Sequence, residues 1–175
     1  MSTSLGAVGG FCAGAAMLID FSRLTSTAYV YSASLPPYLS ASALAVLELI
    51  DKDSSHTDKL QENSKLIRQS LRKAKVDPNK IAMIESNNDV SPLIYLKVSD
   101  AYIKEVTHEV VEEKLQEVVN IVAEDKIIIL RHLYITNERA LGFPALVIVA
   151  KSQLKEDKLK DSMDVIVRAL EKEFS

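Results

Sequence analysis

The residues best suited to chemistry stand at the start of the chain. Ser2, Thr3 and Ser4 supply three hydroxyls, and Gly6, Gly9 and Gly10 follow closely. Such a hydroxyl and glycine loop can turn backbone N–H groups toward a phosphate. It lacks the Gly-Lys-Ser/Thr ending of a Walker loop, and its glycine spacing does not meet the dinucleotide fingerprint. Taken alone, the loop therefore reads as a structural turn.

Several other chemistries fall away on residue type. Cys12 is the only cysteine, so no intramolecular disulfide and no Cys-rich metal site can form, and a reducing compartment is implied. His56, His108 and His132 show neither HExxH nor HxxxH spacing and read as solvated or capping residues. The 21 Lys plus Arg nearly balance 24 Asp plus Glu, and a net charge of -3 gives no footing for nucleic-acid or anionic-membrane binding. The apolar stretches at 125–135 and 141–150 are broken by charge or Pro well short of the ~20 residues of a membrane span. Leu5 to Ile19 is apolar and Gly-rich, but no basic region precedes it and no cleavage site follows, so it is not read as a signal peptide.

The elements that must position the loop follow from periodicity. Gly10 to Ile19 reads as a strand pair or a buried strand with Phe11, Met17, Leu18 and Ile19 inside, and Tyr29 to Leu35 as extended chain. Pro36 and Pro37 end that run and permit a helix directly after them, expected over Ser40–Asp51, with a second, polar helix over Thr57–Ala74. Asp77, Pro78 and Asn79 make a turn. The runs Ile81–Glu85 and Leu93–Val98, separated by the turn cluster Ser86–Pro92, predict a hairpin. Val111, Leu115, Val118 and Val122 form an apolar stripe that predicts a helix over His108–Asp125. Lys126–Leu130 and Ala145–Ala150 read as strands, and the stripe Leu159, Met163, Ile166 and Leu170 predicts a final helix. With 47% hydrophobic residues the chain can bury a core. The sum is an α+β domain of about four strands with helices on one side. A glycine-rich segment precedes it, and the boundary is expected in the helix after Pro37, giving parts 1–40 and 41–175.

Three groups of residues then fall into a known order. Leu5-Gly6-Ala7-Val8-Gly9-Gly10-Phe11 is followed by Ile19-Asp20 and Arg23-Leu24, and then by Tyr31-Ser32-Ala33-Ser34-Leu35-Pro36-Pro37. This order and spacing resemble the α-oxoamine synthases, fold-type-I pyridoxal-phosphate enzymes that condense an acyl-CoA with an amino acid and release carbon dioxide. The likeness is strong over residues 4–51 and continues more weakly to the C-terminus.

The resemblance implies a definite division of labour. It assigns 1–40 to the end of a large cofactor domain with an interface loop, and 41–175 to the small α+β domain. The family's Schiff-base lysine stands three residues before the first glycine of the loop, and here that position is Thr3. A hydroxyl cannot form an imine with the cofactor aldehyde. Ser32 to Pro37, reading Ser-Ala-Ser-Leu-Pro-Pro, is similar to the lysine-less first-subunit branch of the serine palmitoyltransferases, a non-catalytic subunit in sphingolipid synthesis.

That branch implies pyridoxal phosphate held mainly by a lysine-bearing second subunit, with Ser32, Ala33 and Ser34 reaching the cofactor phosphate across the interface. It further implies location at the cytoplasmic face of the endoplasmic reticulum, and a large domain and membrane-anchoring helix ahead of the counterpart of Thr3. Where many relatives carry Arg or Lys in the strand at Ala145–Ala150, Val147 stands, so a substrate-carboxylate contact is not expected there. Two alternatives stay open on sequence: a catalytic α-oxoamine synthase of other specificity, such as an aminolevulinate or amino-oxononanoate synthase, and a stand-alone interaction module.

Overall fold

The computed structural model describes residues 1–85, 89–133 and 143–175, excluding the side chains of Ser2 and Thr3. The chain divides into two compact units, Met1–Ser54 and Ser55–Ser175.

The second unit is a sheet backed by helices. Its strands are β1 (Ile81–Met83), β2 (Leu93–Val98), β3 (Leu130–Arg131) and β4 (Ala145–Val149), in the order β1-β2-β4-β3 with every neighbour antiparallel. Register follows the pleat. Ile94 pairs with Ile148 and Leu96 with Leu146, and these four side chains are buried on one face. The hairpin expected from 81–85 and 93–98 is present, although residues 86–88 of its Ser86–Pro92 turn lie outside the described residues.

Among the described residues four helices belong to this unit: α5 (Ser55–Lys73), α6 (Asp100–Val106), α7 (His108–Glu124) and α8 (Glu156–Phe174). The stripe Val111, Leu115, Val118 and Val122 is fully buried on α7, and Leu159, Met163, Ile166 and Leu170 are buried on α8. Each such side chain contributes about 1.5–3 kcal/mol by leaving water. Helix α6 was not expected from sequence. Its signal is Ser99, whose side chain accepts from the Tyr102 amide at 3.1 Å, with Asp100 in the first turn. The strand expected over Lys126–Leu130 is corrected: only Leu130 is strand, in β3 with Arg131, residues 127–129 are irregular, and Lys126 and Ile127 are used in closing α7. Lys126 lies at φ +60, its amide donates to Ala123 O at 2.9 Å, and the Ile127 amide donates to Val122 O at 3.2 Å. This is a Schellman closure with lysine at the position that glycine usually fills.

Polar residues of α5 are also buried, which its overall polarity conceals. The Arg68 guanidinium donates to the carbonyls of Asp89, Ser91 and Leu93 at 3.2, 3.0 and 3.4 Å. Ser64 donates to Ser91 O and Asn63 to the carbonyls of Lys151 and Leu154. These contacts fix the start of β2 and the segment after β4 by satisfying backbone carbonyls there.

The first unit is helical: α1 (Ser2–Leu5), α2 (Ala16–Thr25), α3 (Thr27–Val30) and α4 (Pro37–Lys52). Helix α4 begins at the proline pair as expected, with Pro37 in the first turn where a missing N–H costs nothing. Two strand expectations are corrected. Gly10–Ile19 is irregular chain leading into α2, and Met17 and Leu18 are exposed rather than inside a sheet. Tyr29–Leu35 begins within α3 and only then extends. The apolar run through Ala15, Ala16, Met17 and Leu18 is made of good helix formers, and without a partner strand local propensity prevails. The first residues, read from sequence as a structural turn, make one helical turn closed by Gly6 at φ +58.

Candidate functional site

The glycine loop is placed from both sides within the first unit. On one side Leu5 and Ala7 are buried against Ala43 of α4, with Met1 and Val46 around them. On the other, Gly9 adopts φ +111, and a Cβ built there would come within 3.0 Å of Leu35 Cδ1. Glycine thus serves two purposes at this position, a backbone conformation that L side chains rarely adopt and a close approach. The two motifs read separately in the sequence, the glycine loop and the Ser32–Pro37 segment, are neighbours through this contact.

The serine segment is shaped by α3 before it and α4 after it. Ser26 caps α3 by accepting from the Tyr29 amide, and the Tyr31 amide closes the helix onto Thr27 O. Ser32 donates its hydroxyl to Ala28 O, so its proton is used locally while its oxygen can still accept. Ala33 and Ser34 are exposed and non-helical, and among the described residues their amides have no backbone partner. The hydroxyl of Ser34 and these two amides are the donors with which this segment can meet an oxyanion. The backbone of Thr3 lies in α1, and its side chain lies outside the described residues.

A fact of composition sharpens the picture and was there to be read. No lysine precedes Lys52. The glycine loop, α2, α3 and the serine segment therefore carry no side-chain amine with which to form an imine.

Other polar clusters are structural. Arg72 on α5 binds Asp89 through two nitrogens, each at 2.9 Å, and Glu85 at 2.8 Å. The hydrogen bonds from Asp89, then Glu85, hold the guanidinium above its ordinary range, and Arg72 in turn holds the Asp89 carboxyl below its own. The His132 ring stacks on Phe143 with centroids 5.1 Å apart and meets Tyr95 edge-on at 6.3 Å. Among the described residues no three metal-ligating side chains converge, and no helix is long and apolar enough to cross a membrane. Val147 is 8% exposed in β4 between Tyr95 and Leu130 and offers no charge to a carboxylate.

Comparison with known proteins bears on this arrangement. Residues 1–147 match the family model for aminotransferase class I and II. The chain belongs to that family.

Among curated members, the chain is 39% identical over 98 residues to long chain base biosynthesis protein 1 of Arabidopsis thaliana, covering 56% of this chain and 19% of that protein. It is 29% identical over 158 residues to serine palmitoyltransferase 1 of Dictyostelium discoideum, covering 90% of this chain and 33% of that one. The chain thus spans a third or less of the length of these two relatives. Among solved structures, the serine palmitoyltransferase of Sphingomonas wittichii superposes over 96% of this chain and 37% of its own, with a TM-score of 0.69 and 20% identity. The 8-amino-7-oxononanoate synthase of Francisella tularensis gives a TM-score of 0.63 at 16% identity, covering 91% of this chain and 40% of that one. Both structures share the fold, which is that of the class I and II aminotransferases: mixed helix with a small antiparallel sheet.

Proposed function

We propose that this chain acts as a non-catalytic subunit, or a part of one, in a serine palmitoyltransferase that condenses L-serine with palmitoyl-CoA for sphingolipid synthesis. The observation that carries the reading is Thr3. By resemblance it stands where the family's Schiff-base lysine belongs, and no other lysine precedes Lys52. The curated relatives named serine palmitoyltransferase 1 and long chain base biosynthesis protein 1 support the same branch.

The cofactor implied is pyridoxal phosphate, which when bound to a lysine amine stabilises carbanions at the amino acid's α-carbon. This chain's share is positional. The Ser34 hydroxyl and the amides of Ala33 and Ser34 would donate to the phosphate oxygens across an interface, while a lysine-bearing second subunit supplies the covalent bond and the proton transfers. The donors are exposed and unspent, which fits a phosphate coming from outside the chain. The helix face of Met17, Phe21 and Leu24 is exposed, as a surface covered by further protein would be. In this reading residues 1–40 belong to the cofactor domain and 41–175 to the small domain, and the complex works at the cytoplasmic face of the endoplasmic reticulum.

The test is a titration of the chain with pyridoxal phosphate followed by borohydride. Alone, the chain should retain no reduced cofactor on residues 1–51. Co-expressed with a lysine-bearing homologue, it should co-purify, and replacement of Ser34 by Asp should weaken cofactor retention by the complex at least tenfold. Label trapped in the first unit of the lone chain, or condensation activity without any companion, would overturn the proposal.

A further inference from the structure

The second unit contains a cavity that the proposed function does not use. It lies between α5, α8 and the end of β4, and its volume is about 250 Å³. Its buried walls are the side chains of Ile67, Ile129, Ile148, Met163 and Ile166. The polar residues on it are Ser162 and two lysines, Lys126 and Lys151, with no acidic side chain among the lining. Both lysines are exposed, so they stand where the cavity opens to solvent, and among the described residues neither has a carboxylate within ion-pair distance. An apolar chamber with a purely cationic opening complements one kind of molecule, an apolar chain ending in an anion.

Two further observations support this assignment. Lys126 occupies the left-handed position that closes α7, where glycine would carry no steric penalty. A lysine held there places a long cationic side chain beside the opening at some cost in backbone strain. Ile128, two residues on, is 86% exposed although it lines the same cavity. Val149, on the same lining, is also 40% exposed, and together they form a rim that a bound chain would cover.

We infer that this cavity binds a single-chain amphiphile with an anionic head, the tail among Ile67, Ile148 and Met163 and the head between Lys126 and Lys151. Size sets the tail. A methylene group occupies roughly the share of a water molecule, about 30 Å³, so the cavity has room for about eight carbons of one chain. The head is a carboxylate or a phosphate monoester, since two ammonium groups satisfy either. Nothing in this assignment depends on Thr3 or on a partner subunit.

The full 175-residue chain, titrated with octanoate and followed by calorimetry and methyl NMR, tests it. Octanoate should bind saturably at one site and shift the Met163 methyl and the Ile67 and Ile148 δ-methyl signals. Butyrate, which loses most of the tail contact, and octylammonium, which reverses the charge, should each bind at least tenfold more weakly. The double variant Lys126→Gln with Lys151→Gln keeps both stems and should weaken octanoate tenfold or more with an unchanged apo NMR spectrum. A parallel titration with octyl phosphate distinguishes the two heads: tighter binding than octanoate identifies a phosphate site, weaker binding a carboxylate site. Non-saturable octanoate binding, equal binding of octylammonium, or an unaltered affinity in the double variant would each overturn the inference.

Discussion

The two units of this chain invest their apolar residues in opposite ways. In Ser55–Ser175, α7 and α8 turn their stripes onto a sheet face built from Ile94, Leu96, Leu146 and Ile148, and the result is one continuous core. In Met1–Ser54, by contrast, the buried hydrophobics among the described residues are Leu5, Ala7 and Ala43, while Phe11, Met17, Phe21, Leu24 and Tyr31 are all more than 60% exposed. The unit with chemical motifs is the one that cannot finish its own interior. The unit without them carries the stability. A fold can thus bury the apolar residues of one unit thoroughly while leaving those of the other largely exposed.

Core truncation gives the largest way to break that contrast. Leu115→Ala or Ile94→Ala should cost about 2–5 kcal/mol, read as a lower urea midpoint of the whole chain. Met17→Ser or Leu24→Ser should stay within about 0.5 kcal/mol in the lone chain. Equal losses in both units would erase the distinction. Arg68→Met comes next, since it removes the donors to three carbonyls while keeping an apolar stem, and about 3 kcal/mol is expected. Ser64→Ala should be milder, about 1 kcal/mol, measured in the same way.

The smallest expected effect is electrostatic. Arg72 holds the Asp89 carboxyl below its ordinary range, so the folded state keeps it ionised to lower pH than the unfolded state does. Its contribution is complete above the unfolded value of about 3.9 and is lost as pH falls through the lowered folded value. Asp89→Asn should therefore lower stability slightly at neutral pH, where the exposed pair contributes little, and leave it unchanged near pH 2, so that the acid side of the profile flattens. Urea midpoints between pH 2 and 7 would show it, and a parallel offset at every pH would contradict it.

What the sequence disclosed follows the same division. The helices bearing Val111 to Val122 and Leu159 to Leu170, and the strands around Ile94 and Ile148, were legible because each apolar period has a core to face. Around Met17 and Leu18 no such core exists within the unit, so apolarity suggested a buried strand where local propensity makes a helix. The buried Asn63, Ser64 and Arg68 were invisible for the converse reason: polar residues on a polar helix look solvated until the carbonyls they serve are located. The serine segment was legible by family resemblance. Its nearness to the glycine loop through Gly9 and Leu35 depended on a contact between residues 26 positions apart, which periodicity does not report.

The buried guanidinium of Arg68 also bears on how the domain assembles in time. Its acceptors lie 21 to 25 residues downstream, so the contact ties α5 to the start of the hairpin's second arm. Loop closure over that distance precedes any reward from pairing. Replacement of this arginine should accordingly slow refolding more than it hastens unfolding, marking α5 and the start of β2 as part of the nucleus.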